Sequence, residues 1–256
     1  MNKIKFLGTA GARFAVSRQI RMSGGLWVTV DDTNILIDPG PGALVRCLSS
    51  KPKLNPLDLD GIILTHRHLD HSNDVNIMIE AMTNGGFKKK GVVFAPQDAY
   101  QDDPVVLKYV RDHVENIEVL KEKGSYTIGE VTFETPVKHI HGVQTYGLNI
   151  FGNNCSISYI TDSKYFTGLE SYYPGDILII NVVLYEERKH IQHLCLQDAE
   201  KILSANKPKL CVLTHFGMTM IKHKPWVIAE KLTKKYDVKV IAARDGMEID
   251  IDSYSS

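Results

Sequence analysis

The sequence has no excess of either charge: 30 Lys and Arg are matched by 30 Asp and Glu across 256 residues. A balanced chain has no long-range field that draws it to nucleic acid or to a membrane, so binding of that kind would need a local patch. Four cysteines, Cys47, Cys155, Cys195 and Cys211, have no short paired spacing, which argues against a zinc knuckle and against a disulfide framework. No secretory leader is expected from the way the sequence opens, and no apolar run nears the roughly 20 residues of a membrane helix. The expectation is a reducing cytoplasm and no membrane partner. Neither a repeat, a low-complexity tract nor a composition shift marks a boundary, so residues 1–256 read as one domain, with 43% hydrophobic content to fill its core.

What the chain does have is metal-binding side chains gathered in one place. Residues 64–73 read Leu-Thr-His-Arg-His-Leu-Asp-His-Ser-Asn, three imidazoles and a carboxylate within six residues. The apolar run from Gly61 to Leu64 reads as a buried strand, and Asp74 onward (Val75, Ile77, Met78, Ile79, Met82) as a helix. His66, His68, Asp70 and His71 then fall on the loop at a strand's carboxyl end, where α/β sheets present functional side chains. A merely solvated loop needs no such company of histidines.

The first third reads as strands joined by turns: Ile4 to Leu7, Leu26 to Val30 and Asn34 to Ile37, with Asp31 to Thr33 as a hairpin turn. Gly8 to Gly25 is a long connection carrying Arg13, Arg18 and Arg21, either substrate contacts or solvation of the loop. Pro41 to Leu48 reads as a short helix started by proline. Beyond the histidines the pattern predicts a strand over 92–95, a helix from Gln97 to His113, and strands over 118–120, 126–128, 131–137, 145–151, 156–161 and 177–182. Helices over 196–205 and 226–236 each precede a strand, 210–213 and 238–242.

The His-x-His-x-Asp-His run resembles the signature of the metallo-β-lactamase superfamily. Asp38, His141, Asp162 and His215 follow that family's order: an Asp ending an early strand, a later His, an Asp and a final His, each placed after a strand-like run. The resemblance implies an α/β fold, a four-layer αββα sandwich, and two divalent metal ions, zinc by ligand type with manganese or iron also able to use such donors. It implies that His66, His68 and His141 hold one ion, that Asp70, His71 and His215 hold the other, and that Asp162 bridges them. Ions about 3.5 to 4 Å apart share a water whose pKa falls from 15.7 towards about 7, which supplies hydroxide as nucleophile. The net charge left at the site is positive and favours an anionic substrate.

Three assignments need argument beyond the signature. His139 and His141 alternate on one strand end, so only one would face the metals. His141 is the choice, because His141 to Gly147 looks like the ribonuclease Z branch and its phosphodiesterase relatives, leaving His139 as a supporting donor or a surface residue. Asp38 is expected to hold a ligand in place rather than touch metal, or else simply to form a turn before Pro39 and Gly40. The segment His193 to Ala199 is similar to one in carbon-phosphorus lyase pathway phosphodiesterases, where a histidine before a helix faces the scissile group. His193 matches that histidine, and Cys195 replaces the usual Ser or Thr, which puts the helix cap in doubt. Asp70 and His193 are counted as the catalytic residues; His113, His190 and His223 have no motif around them.

The reading is a dinuclear metal-dependent hydrolase, phosphodiesterase-type, acting on an anionic small-molecule or nucleotide-type substrate. A thioester, ester or lactam hydrolase and a non-catalytic metal-binding sensor are the alternatives. Processing of tRNA is not favoured, since no long basic or Gly-Pro-rich arm is present and Lys88 to Lys90 is the one basic run between His71 and His141.

Overall fold

In the computed structural model, which describes residues 1–254, the chain starts on β1 (Lys3–Phe6), passes through helix α1 (Ala12–Ser17) and returns as the hairpin β2 (Leu26–Val30) and β3 (Thr33–Ile37). Val30 pairs with Thr33, and the two residues between them, Asp31 and Asp32, both take positive φ, 47° and 59°. A two-residue turn needs that conformation to follow the twist of its strands. Helix α2 (Ala43–Ser49), strand β4 (Gly61–Ile63), helices α3 (Leu69–Ser72) and α4 (Val75–Met82), and strands β5 (Val92–Pro96) and β6 (Asn116–Leu120) complete the first half.

The second half runs β7 (Gly124–Ile128), β8 (Val131–Thr135), β9 (Leu148–Gly152), β10 (Cys155–Ile160), β11 (Ile177–Asn181), α5 (Leu196–Asn206), β12 (Leu210–Thr214), α6 (Met218–Lys222), α7 (Pro225–Tyr236), β13 (Lys239–Ala242) and β14 (Glu248–Asp250). Two seven-stranded sheets result, in the orders β14-β1-β2-β3-β4-β5-β6 and β13-β12-β11-β10-β9-β8-β7. Strands β3 to β6 are parallel in one, β10 to β13 in the other.

Burial explains the layering. Ile4, Phe6, Val28 and Ile37 of the first sheet pack with Phe133, Ile150, Ile157 and Val212 of the second in a core between the sheets. A second core joins Trp27, Leu36 and Ile62 to Cys47 of α2 and Met78 and Met82 of α4. A third joins Ile180 and Leu213 to Ile202 of α5 and Leu232 of α7. Strands β11 and β12 are buried at every residue because helices cover their outer face, whereas β8 alternates buried with exposed. This is the αββα sandwich expected from the sequence. No helix among the described residues is long and apolar enough to cross a membrane, and all four cysteines are buried and free.

The local reading needs correction in several places. The helix expected from Gln97 to His113 is two separate 3-10 segments, Gln97–Ala99 and Lys108–His113. Pro104 lacks an N–H and disfavours helix at the residue before it, and the Asn76 side chain engages the Val105 carbonyl and Leu107 N–H in the gap. The connection from Gly8 to Gly25 contains α1, whose Phe14 is 65% exposed, so no apolar stripe announced it. Helix α2 starts at Ala43, after Gly42 at φ 90°, rather than at Pro41. The His-rich loop is itself partly helical, as α3, and β14 went unread because three residues carry little pattern.

Candidate metal centre

The cluster is built where strands end. Chain leaving β4 bends at Thr65 and carries His66 and His68 on irregular backbone just ahead of α3, and the single turn of α3 supplies Asp70 and His71. Asp162 lies two residues past β10 and His215 directly follows β12. Asp38, past β3, and His215 both take the left-handed conformation, φ 54° and 57°, which costs non-glycine residues about 1–2 kcal/mol. Two glycines allow the backbone to close on these residues: a Cβ at Gly11 would stand 2.1 Å from the His215 carbonyl oxygen, and one at Gly40 2.0 Å from that of Asp70.

Around this backbone the outer ring atoms are tied down and the inner ones converge. Thr65 Oγ1 donates to Asp38 Oδ2 at 2.7 Å, so it accepts from His66 Nδ1 at 3.1 Å. His71 Nδ1 donates to Asp38 Oδ2 at 2.9 Å, and His141 Nδ1 to the Gln192 carbonyl at 2.9 Å. Each anchor leaves an Nε2 lone pair facing inward. There His141 Nε2 lies 3.0 Å from His68 Nδ1, and His71 Nε2 3.3 Å from His215 Nε2. Asp162 sits among them: Oδ2 is 3.5 Å from His71 Nε2 and 3.9 Å from both His66 Nε2 and His141 Nε2, while Oδ1 is 3.5 Å from His215 Nε2. Asn181 Nδ2 donates to Oδ1 at 3.0 Å and orients the carboxylate.

Converging nitrogen lone pairs repel unless a proton or a cation lies between them. Burial and His71 hold His66 well below its ordinary range; burial and His141 lower His68. At His71 burial opposes the charge, but Asp38 and Asp70 outweigh it and the ring is held well above its ordinary range. His215 behaves alike, raised to about 9 because Asp162 and Asp70 outweigh burial. Asp70 and Asp162 stay below the usual carboxylate range: burial opposes this, and His71 acting on Asp70 and His215 on Asp162 prevail.

The donor set fits divalent cations. His66, His68 and His141 bring ligand atoms within 4.8 Å of one another, as do Asp70, His71 and His215, and Asp162 forms such a group with His66 and His71. His66 Nε2 is buried with no hydrogen-bond partner, an arrangement that costs free energy unless something binds the atom.

All seven residues singled out as ligands from the sequence come together here, and Asp38 stands behind them. His139 faces elsewhere: it is buried, with Nδ1 donating to the Asp162 carbonyl at 3.2 Å and Nε2 2.6 Å from Tyr173 Oη. Its hold on the Asp162 backbone is a supporting contact. His193 enters the cluster more closely than a bystander, with Nδ1 3.4 Å from Asp162 Oδ2 and no hydrogen-bond partner. The doubt over the α5 cap is resolved by Asp198, whose Oδ2 accepts from the Cys195 N–H at 3.1 Å. Of the three loop arginines, Arg21 is engaged, donating to Thr9 Oγ1 and the Ala243 carbonyl, while Arg13 and Arg18 are exposed. Sequence reasoning missed Thr65, Asn181, Tyr173 and Gln192, which support the cluster without any motif of their own; Thr65 and Gln192 each stand next to a recognised residue, His66 and His193.

The chain is similar to known proteins in sequence and in fold. The chain is 30% identical to an uncharacterized protein of Methanocaldococcus jannaschii over 97% of this chain and 95% of that one. It is 28% identical to the probable metallo-hydrolase YhfI of Bacillus subtilis over 73% of this chain and 78% of that one. The crystal structure of YhfI superposes with a TM-score of 0.80 at 21% identity, covering 97% and 98% of the two chains. A diphosphatase from the PhnP family superposes with a TM-score of 0.72 at 21% identity, covering 98% of each. Residues 33–216 match the model of the beta-lactamase superfamily domain, and the chain belongs to the metallo-β-lactamase superfamily, whose fold implies divalent metal binding.

Proposed function

We propose that this protein is a dinuclear metal-dependent hydrolase that cleaves phosphodiester-type bonds in an anionic small-molecule or nucleotide-type substrate. The observation that carries the proposal is Asp162 standing between two groups of three donors, within 3.9 Å of His66 and His141 on one side and 3.5 Å of His71 and His215 on the other. His66, His68 and His141 would hold one ion, Asp70, His71 and His215 the second, and Asp162 both. Divalent ions held there, zinc by donor type, supply Lewis acidity and a water acidic enough to attack near neutral pH. The protein's part is to keep the donors preorganised: Asp38, Thr65, Asn181 and the Gln192 carbonyl fix the rings and the bridging carboxylate in place.

An alkoxide is a poor leaving group unless it receives a proton. His193 is assigned that transfer: two complete groups of donors exist without it, its side chain retains 17% exposure where the ligand rings of His66 and His71 are buried, and burial holds its imidazole below the ordinary range, which makes its protonated form a stronger acid. The likeness to a diphosphatase from the PhnP family supports phosphorus chemistry over acyl chemistry.

The test is a panel on metal-loaded protein: bis-p-nitrophenyl phosphate, 2′,3′-cyclic nucleotides, a tRNA precursor, a thioester and a lactam. Turnover of the phosphodiesters is expected to lead. Thioester or lactam turnover without any phosphodiester turnover overturns the substrate class.

A further inference from the structure

A second cavity, of about 250 Å³, opens behind the metal centre and is lined by Lys5, Arg46, Lys51, Ser49, Ser50 and Asp245. It lies across the backbone from the cluster, since Gly8 and Ser23 line the space beside Asp70, His71 and His215 while their neighbours Leu7 and Met22 line this one. Three cations meet one carboxylate at its surface. Both oxygens of that carboxylate are engaged, Asp245 Oδ1 by the N–H and Oγ1 of Thr9 and Oδ2 by the Met22 N–H.

Lys5 is the telling residue. On β1, Ile4 and Phe6 point into the core between the sheets, so Lys5 occupies the opposite face, where its cross-strand partner Trp27 joins the apolar packing under α2. An apolar residue would serve there, yet the position holds a lysine that is only 6% exposed. Lysine is rarely buried so far without a partner; here Nζ pairs with Glu248 Oε2, its cross-strand neighbour, at 3.7 Å, and Lys3 Nζ approaches the same oxygen at 3.8 Å, so two ammonium groups share one carboxylate. Across the cavity, neither Arg46 in the last turn of α2 nor Lys51 beyond it has an ion pair among the described residues. Even with Glu248 counted, the lining keeps a net positive charge, and it adds a planar guanidinium suited to two oxygens at once.

We infer that this cavity binds a small phosphate-class oxyanion, either free phosphate or the terminal group of a phosphomonoester, at a site separate from the metal centre and independent of the reaction proposed above. Calorimetric titration of the full chain with inorganic phosphate, and in parallel with glycerol phosphate, tests it. Wild-type protein and a His68→Ala variant should both bind saturably, because the cavity does not use the cluster. Arg46→Gln combined with Lys51→Gln, both near the surface and outside the three cores, should weaken binding at least about tenfold, as expected for losing charge-assisted hydrogen bonds. Tighter binding of glycerol phosphate would support a phosphomonoester ligand, and tighter binding of phosphate a free oxyanion. No saturable binding, unchanged affinity in the double variant, or binding that disappears with His68→Ala would each overturn the inference; the last would put the anion on the metal cluster.

Discussion

Asp38 accepts the Nδ1 proton of His71 at 2.9 Å while the same carboxylate takes both the N–H and the hydroxyl of Thr65 at 2.7 Å. One side chain outside the cluster thus fixes the tautomer of His71 directly and, through Thr65 Oγ1, that of His66. Replacing Asp38 with Asn keeps a residue that tolerates the left-handed backbone at this position, but one oxygen becomes a donor facing donors. Metal affinity should fall about 10- to 100-fold, the usual effect of removing such an outer partner. Competition titration against a chromophoric chelator measures it; unchanged affinity would show that the rings are held by other contacts.

Asp162→Ala should release both metal ions together, because its two oxygens face both groups of donors. Elemental analysis of protein purified without chelator is the check. Loss confined to one ion would mean that Asp162 serves a single site.

The metal-free protein should be most stable near pH 6.5. His215, raised to about 9, stabilises the fold fully below its unfolded pKa of about 6.5, and that contribution is lost as pH climbs through 9. His139 has the opposite sign. Burial lowers it to about 4, so its contribution is present above about 6.5 and is lost as pH falls through 4. Melting temperature followed against pH in chelator should therefore decline on both sides. Added metal should remove the alkaline decline, since cations replace the protons there; an alkaline decline of the same size with metal bound would contradict this.

His193→Ala should lose about 10² to 10⁴ in kcat on a substrate with an alkyl-type leaving group, the usual range for general acid catalysis, while keeping its metals. With p-nitrophenolate as leaving group, which needs little protonation, the loss should be much smaller. Nδ1 lies 3.4 Å from Asp162 Oδ2, so metal content must be measured alongside. Lost metal, or equal impairment with both leaving groups, would make His193 a ligand or a structural residue.

The ligands were legible because the chemistry writes itself locally: His66, His68, Asp70 and His71 sit within six residues, and each later member follows an apolar strand pattern. The supports were not. Tyr173 reaches His139 across 34 residues and Asn181 reaches Asp162 across 19, and a single hydrogen bond at that separation leaves no periodic trace. Apart from β14, the strands of both sheets were readable from burial-driven apolar runs. Helix α1 was not, since Phe14 faces solvent, and residues 97–113 mislead because the apolar spacing of Val105, Val106, Tyr109 and Val110 suggests a helix that Pro104 breaks.

The central claim, that two ions act together in phosphodiester hydrolysis, is tested most directly by titrating metal into stripped protein while following bis-p-nitrophenyl phosphate cleavage. Activity should rise until two equivalents per chain are bound and then level off. Full activity at a single equivalent, or no cleavage at any loading of correctly folded protein, would contradict it.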